Sequence, residues 1–270
     1  MEYIVIESFD HVTDPVKTEQ TISEQLIKRS KDIKTDKIYI SFPIAWNLNN
    51  KGIGYTQNVI NSICEKYKNK NIFFVCQHIL VNNLNFHNNL VFTPHATILD
   101  PYVAIPHYTC NYDLNYVKPW NEREYLFSFV GSFRTHPVRQ RLYQLLKHRN
   151  DCYIVDTGAW HFENSKQTQI QNSNEFSKIL GNTKYSLCPR GTGPSTIRIW
   201  ESMAMGSYPV ILSDILKMPM SRQFSDELWL QTPEDLINFE TSLGKSEYNN
   251  SSYFGLFSNE NLYKSIEENL

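Results

Sequence analysis

The stretch Lys184–Asp214, KYSLCPRGTGPSTIRIWESMAMGSYPVILSD, constrains the fold more than any other part of the chain. Lys184–Cys188 is a short run of strand-forming residues, and Pro189–Pro194 is a turn rich in Gly and Pro. Ser195–Met205 then carries Ile199, Trp200 and Met203 at helical spacing, Gly206 ends the helix, and Tyr208–Leu212 reads as a buried strand. Strand, turn, helix and strand in this order make a parallel βαβ unit. Its turn lies at the carboxyl end of the first strand, which is where open α/β sheets bind ligands.

The residue types in the turn say which ligand. Ser195 or Thr196 is expected to cap the helix, so that the N–H groups of its first turn and its positive dipole end face past Gly191 and Gly193. A phosphate suits that position. Arg190 precedes the turn and Arg198 follows it by one helical turn, and a planar guanidinium pairs with a diphosphate in bidentate geometry. Glu201, three residues after Arg198, either accepts hydrogen bonds from a ribose diol or pairs with Arg198 on the surface. The spelling Gly-x-Gly-x-x-Thr lacks the third glycine of a dinucleotide fingerprint and the Gly-Lys-Ser/Thr of a P-loop, so it does not name a nucleotide by itself.

Two ordered blocks do more. Cys188-Pro189-Arg190-Gly191, Arg198, Glu201, Gly206, Pro209-Val210-Ile211 and Asp214 resemble the donor-site signature of the exostosin-like glycosyltransferases (glycosyltransferase family 47). Phe127-Ser128-Phe129-Val130-Gly131-Ser132-Phe133-Arg134, followed by Val138-Arg139, is similar to the strand, loop and helix start of the same family. The resemblance spans roughly Tyr125–Leu243; in the first half only a loose order of strands and Ile105-Pro106 agree. It implies an α/β fold of GT-B type, two Rossmann-like domains facing a central cleft. It also implies a UDP-sugar donor held by Arg134, Arg139, Arg190, Gly191, Gly193, Ser195, Thr196, Arg198 and Glu201, with transfer of the sugar to a carbohydrate acceptor and inversion at the anomeric carbon. Short soluble enzymes of this kind in large algal viruses are the nearest type, and they favour xylose as the transferred sugar.

At 270 residues and 41% hydrophobic, the chain is long enough for two such domains. The expected division is residues 1–122 on the acceptor side, 123–248 on the donor side, and 249–270 as linker and closing helix returning to the first domain. The first half alternates strands (Glu2–Ile6, Lys37–Phe42, Asn71–Gln77, Leu90–Thr93, Tyr102–Ile105) with helices (Val16–Ser30, Gly54–Tyr67). In the second half, strands are expected at Leu126–Gly131, Cys152–Val155 and Leu228–Leu230. Helices are expected at Val138–Leu146, Phe176–Leu180, Pro233–Leu243 and Asn259–Glu268. Asp156–Asn172, with Trp160 and His161, reads as a loop near the site, and Leu216–Met220 as a loop over the nucleobase or sugar.

A base that activates the acceptor hydroxyl belongs at a strand end of the first half. His78, after the buried third strand, is the first choice, because an imidazole takes a proton near neutrality; Asp10 is the second, and His95 and His107 lie at later strand ends. The net charge of −2 and the lack of a basic run argue against nucleic acid as a partner. Five cysteines without paired spacing read as buried free thiols, and Cys76 with His78 does not make a zinc motif. No Asp-x-Asp occurs, so no metal is expected at the leaving diphosphate, and no cofactor beyond the sugar nucleotide. No segment approaches the ~20 apolar residues of a membrane span, which gives the expectation of a soluble, cytoplasmic enzyme. Two other readings stay open: a fucosyltransferase using GDP-fucose, and a catalytically silent sugar- or nucleotide-binding protein of the same fold.

Overall fold

The computed structural model describes residues 1–8, 11, 13, 16–158, 165–219, 228–235 and 259–270. Two compact units emerge. The first holds the described residues of Met1–Tyr108, Ile215–Ser221 and Asn259–Leu270; the second holds those of Thr109–Asp214 and Arg222–Ser258.

The first unit is built on five parallel strands, β1 (Glu2–Val5), β2 (Ile38–Ser41), β3 (Ile72–Val75), β4 (Leu90–Thr93) and β5 (Val103–Ala104), paired in chain order. The sequences IYIS and IFFV of β2 and β3 are buried at every position, as expected of strands covered on both faces. Helix α1 (Thr18–Lys28) connects β1 to β2, and α2 (Ile44–Lys66) connects β2 to β3. The second helix starts ten residues before the expected Gly54, because its first two turns bury Ile44, Ala45 and Leu48; Gly52, at φ 81°, then breaks the helical path. Ile40, Phe42, Ile60, Ile63 and Phe74 form the core between helix and sheet.

Two later segments join this unit. Residues 215–217 run beside the chain after β4: Thr97 bridges Leu216, and the Lys217 N–H donates to the Ala96 carbonyl at 3.0 Å. The described part of Leu216–Met220 is therefore part of the first unit's framework. At the end of the chain a single 3-10 turn, Asn259–Asn261, precedes the short α6 (Lys264–Glu267) in place of one continuous helix. This end is tied to α1: the Tyr263 N–H donates to Gln25 Oε1 at 3.0 Å, and the Arg29 guanidinium lies 4.6 Å from the Tyr263 ring centre.

The second unit carries β6 (Tyr125–Gly131), α3 (Pro137–Leu146), β7 (Cys152–Asp156), α4 (Lys166–Gly181), β8 (Thr183–Pro189), α5 (Arg198–Ala204), β9 (Tyr208–Leu212) and β10 (Leu230–Thr232). Its strands are parallel in the order β10-β9-β8-β6-β7. From β6 the chain steps outward to β7, returns to the other side of β6 as β8, and continues away through β9 and β10. The reversal falls between β6 and β8. That makes a topological switch point, and the crevice beyond the carboxyl ends of such strands is the usual ligand site of an open sheet.

Helix α4 corrects the sequence reading, which saw a loop to Asn172 and a helix only at Phe176–Leu180. It starts at Lys166, where the Ser165 hydroxyl accepts from the Thr168 N–H at 3.2 Å. Its first turns are polar and exposed, so no apolar stripe marks them. The strand expected at Leu228–Leu230 is shifted to Leu230–Thr232. Trp160, His161 and the expected helix beyond Asp235 lie outside the described residues. All five cysteines are free; Cys64, Cys76 and Cys188 are buried, while Cys110 and Cys152 are half-buried. Among the described residues no helix is long and apolar enough to cross a membrane.

Candidate functional site

Strand β6 ends in Val130-Gly131, and its loop Ser132–His136 leads into α3; β8 ends in Cys188-Pro189, and its loop from Arg190 to Ile197 leads into α5. Five arginines, Arg134, Arg139, Arg141, Arg190 and Arg198, are attached to these two loops and helices, and the four that the sequence singled out differ sharply in environment.

Arg139 is buried in the first turn of α3. Its Nε donates to the Arg190 carbonyl at 2.9 Å, one terminal nitrogen to the Ser132 carbonyl at 2.9 Å and the other to the Pro189 carbonyl at 3.2 Å. It therefore binds the two loops to each other. Where the sequence suggested a contact with the donor diphosphate, three of the five guanidinium N–H donors are taken by backbone carbonyls at and just beyond the ends of β6 and β8. Burial, and secondarily the charge of Arg198, hold its pKa below the ordinary arginine range.

Arg198 opens α5. Its guanidinium lies 4.4 Å from the centre of the Phe129 ring and 5.5 Å from that of Phe176, and it donates to the Val130 carbonyl. Gly131 makes room for it, since a Cβ there would stand 3.2 Å from the Arg198 guanidinium and 3.2 Å from the Phe129 ring. Arg139 also reaches Phe129, at 5.3 Å from the ring centre. Two desolvated cations thus share one aromatic ring. Arg198 Nε is buried with no hydrogen-bond partner among the described residues, and so is Arg190 Nε. Unpaired buried donors on cations are costly, and an anion at this point would satisfy them.

Arg190 contacts an acid: one terminal nitrogen stands 3.6 Å from Glu234 Oε1. Arg134, in the single 3-10 turn Phe133–Thr135, is exposed, and its guanidinium makes no hydrogen bond or ion pair with a described residue. Gly191 is buried against Arg139, where a Cβ would come within 3.0 Å of the guanidinium; Gly193 and Ser195 are buried in the loop, and Thr196 is half-buried.

The start of α5 requires a correction. The sequence suggested Ser195 or Thr196 as cap of a helix reaching back to Ser195. The helix begins at Arg198 and has seven residues, its N-cap is Ile197, and no side chain caps it. The N–H groups of Ile199 and Trp200 already donate to the Thr196 and Ile197 carbonyls, at 3.3 and 3.0 Å. Few free donors remain at that end, so the guanidiniums carry the positive charge of the site.

Glu201 is neither on the surface nor paired with Arg198. It is buried, and its Oε1 accepts from the Asn111 N–H at 3.1 Å and from Asn111 Nδ2 at 3.0 Å. Burial raises its pKa to about 7, against the opposing influence of Arg198 and of the Asn111 donors. Arg123 is a further framework cation: it donates to the carbonyls of Lys118, Thr183 and Met205 and to the Ser207 hydroxyl, tying the end of α5 to the start of β8.

In the first unit, His78, His95 and His107 follow β3, β4 and β5. His95 and His107 are buried edge to face with ring centres 4.9 Å apart, and burial lowers both, His95 to about 3. His78 is half-buried, and burial lowers it too. Its Nδ1 accepts from the Leu80 N–H at 3.1 Å, so Nε2 holds the ring proton and donates to Asn49 Oδ1 at 3.0 Å. Both ring nitrogens are engaged in this arrangement, and the single lone pair, on Nδ1, is taken by the Leu80 N–H. Asp10 lies outside the described residues. Sequence reasoning passed over Glu19, which is buried where the ends of β2 and β3 meet α1. It accepts from the Gln77 N–H at 2.8 Å and the Ala45 N–H at 3.1 Å, and burial raises its pKa to about 8.

The family model described as the exostosin GT47 domain matches residues 54–227. Ribitol-5-phosphate xylosyltransferase 1 of Danio rerio is 32% identical over 98 residues, covering 35% of this chain and 21% of that protein. The Caenorhabditis elegans exostosin-1 homolog is 28% identical over 112 residues, 37% of this chain and 29% of its own length. Ribitol-5-phosphate xylosyltransferase 1 of Homo sapiens is 30% identical over 94 residues, 34% of this chain and 20% of its length. The matched segments thus span between a fifth and under a third of the length of these relatives.

Proposed function

This chain belongs to the exostosin GT47 domain family, and from that premise we propose that it is a glycosyltransferase that moves a sugar from a UDP-sugar to a carbohydrate hydroxyl, with inversion and without a metal ion. The observation that carries this reading is the meeting of Arg139, Arg190 and Arg198 at the β6/β8 switch point, with the Nε atoms of Arg190 and Arg198 buried and unpartnered. A nucleoside diphosphate supplies the missing acceptors there, and Arg134 is free to close on it from its exposed turn.

In the proposed reaction the acceptor oxygen attacks the anomeric carbon and the bond from that carbon to the diphosphate oxygen breaks. The diphosphate leaves with the electron pair, which Arg190 and Arg198 stabilise in a low-dielectric setting. The hydroxyl proton passes to a base in the first unit. His78 serves once the Leu80 N–H releases its Nδ1 lone pair, and Asp10 is the second candidate. The proposal includes a GT-B arrangement, supported by the presence of two parallel α/β units. Gly191, Gly193, Ser195 and Thr196 line the phosphate loop, with Arg139 and Glu201 shaping it from behind. Xylose is favoured as the transferred sugar because two of the matched relatives bear the name xylosyltransferase.

The test is a transfer assay with labelled UDP-xylose, other UDP-sugars and GDP-fucose, a pool of oligosaccharide and polyol acceptors, and a chelator throughout. Transfer from a UDP-sugar giving a β-linked product from the α-linked donor supports the reading. Transfer from GDP-fucose alone selects the fucosyltransferase alternative, and a strict need for a divalent ion removes the metal-independent mechanism.

A further inference from the structure

Glu234, two residues beyond β10, was not among the residues that the sequence singled out. It clasps Asp214, two residues beyond β9. The Glu234 N–H donates to Asp214 Oδ1 at 2.9 Å, and the Asp214 N–H donates to Glu234 Oε1 at 3.2 Å. Arg141 adds a hydrogen bond from its guanidinium to the Glu234 carbonyl at 2.9 Å. The clasp sets the carboxylate, only 13% exposed, between two cationic or titratable groups: Oε1 is 3.6 Å from Arg190, and Oε2 is 3.7 Å from His136 Nε2.

These two contacts are longer than hydrogen bonds, and Arg190 Nε stays without a partner. Arg190 is held electrostatically but is not satisfied. It belongs to the loop after β8, while His136 caps α3 after β6, so the carboxylate touches both sides of the switch point.

We infer that Glu234 is a placeholder carboxylate, a positioning residue that holds Arg190 and His136 at the phosphate site until the diphosphate of the donor takes Arg190 over. This rests on the proposed function above. Two anions then contest one guanidinium, so Glu234 opposes diphosphate binding and favours its departure after transfer. The interaction reads phosphate charge only and leaves the nucleoside untouched.

Glu234→Gln keeps the shape and an oxygen that can accept from the Asp214 N–H, while removing the charge. Calorimetric titration of the full chain with UDP, GDP, inorganic pyrophosphate and uridine, beside steady-state kinetics, tests the idea. The expected result is that E234Q binds the diphosphate ligands about tenfold more tightly, leaves uridine affinity unchanged, and lowers kcat and KM together. Unchanged or weaker diphosphate binding by E234Q, with wild-type protein that binds UDP or GDP normally, overturns the placeholder role alone. A wild-type protein that binds none of the nucleotides overturns the phosphate site itself, and the placeholder with it.

Discussion

The Nε of Arg139 donates to the carbonyl of Arg190 at 2.9 Å, so one arginine of the site is fixed by the backbone of another. That relationship divides the cations by task. Arg139 spans the carbonyls of Ser132, Pro189 and Arg190 and shapes both loops, and the shaped loop then leaves the Nε of Arg190 without a protein acceptor.

Arg139→Lys should therefore damage the framework before it damages recognition. An ammonium cannot reach three carbonyls arranged around a planar fork, and leaving buried acceptors unpaired costs about 3 kcal/mol. Urea unfolding should show a lower midpoint, whereas Arg134→Ala at the exposed turn should leave the midpoint within about 0.5 kcal/mol of wild type. Equal stability of R139K and wild type contradicts the buttress role.

Gly131→Ala tests the close approach of Arg198. The added methyl group must enter at 3.2 Å from both the guanidinium and the Phe129 ring. The expected cost in stability is about 1–2 kcal/mol, and UDP affinity should fall roughly tenfold as the guanidinium is displaced. Retained affinity in a folded G131A protein means that Arg198 does not need that seat.

Glu201 gives a prediction about pH. Its folded pKa of about 7 lies above the ordinary value of 4.5 for a glutamate, so folding favours the protonated form. The associated stability is fully present below pH 4.5 and is lost as pH rises through about 7, an effect on the order of 3 kcal/mol. Glu201→Gln keeps an oxygen for both Asn111 donors and removes the titration, so its stability should decline less between pH 5 and pH 8. Parallel pH curves for E201Q and wild type rule out this origin of the slope.

His78→Gln addresses the base. If the imidazole takes the acceptor proton, kcat should fall by about 10² or more while UDP affinity and melting temperature stay near wild type. A kcat within a factor of about three of wild type moves the role to another residue of the first unit.

Much of the fold was legible because buried parallel strands write themselves as apolar runs: Leu90–Thr93 and Tyr208–Leu212 have the bounds expected from sequence. Helix α4 was not, because its early turns bury little and show no stripe; the first half of α2 was hidden by Gly52 and Gly54. The arginines of the site were identifiable as a group from their place in two ordered blocks. Their separate tasks were not, since Arg139 meets the Pro189 and Arg190 carbonyls across about 50 residues of chain. Glu201 read as an acceptor for a ribose diol or as a surface acid beside Arg198, and nothing in the spacing announced Asn111, 90 residues earlier, as its partner. Glu234 carries no periodic signal at all; only the pairing of β9 with β10 brings it to Asp214.

The most direct test of a guanidinium-lined diphosphate site is UDP binding by wild-type protein and by Arg198→Ala, followed by thermal shift in the presence of a chelator. UDP at ~100 times its dissociation constant adds about 2.7 kcal/mol and a clear rise in melting temperature. The account predicts that rise for the wild type, no such rise with uridine at the same concentration, and its loss in R198A protein that still unfolds cooperatively. A wild-type protein whose melting temperature no nucleotide raises, or an R198A variant stabilised by UDP as fully as the wild type, contradicts it.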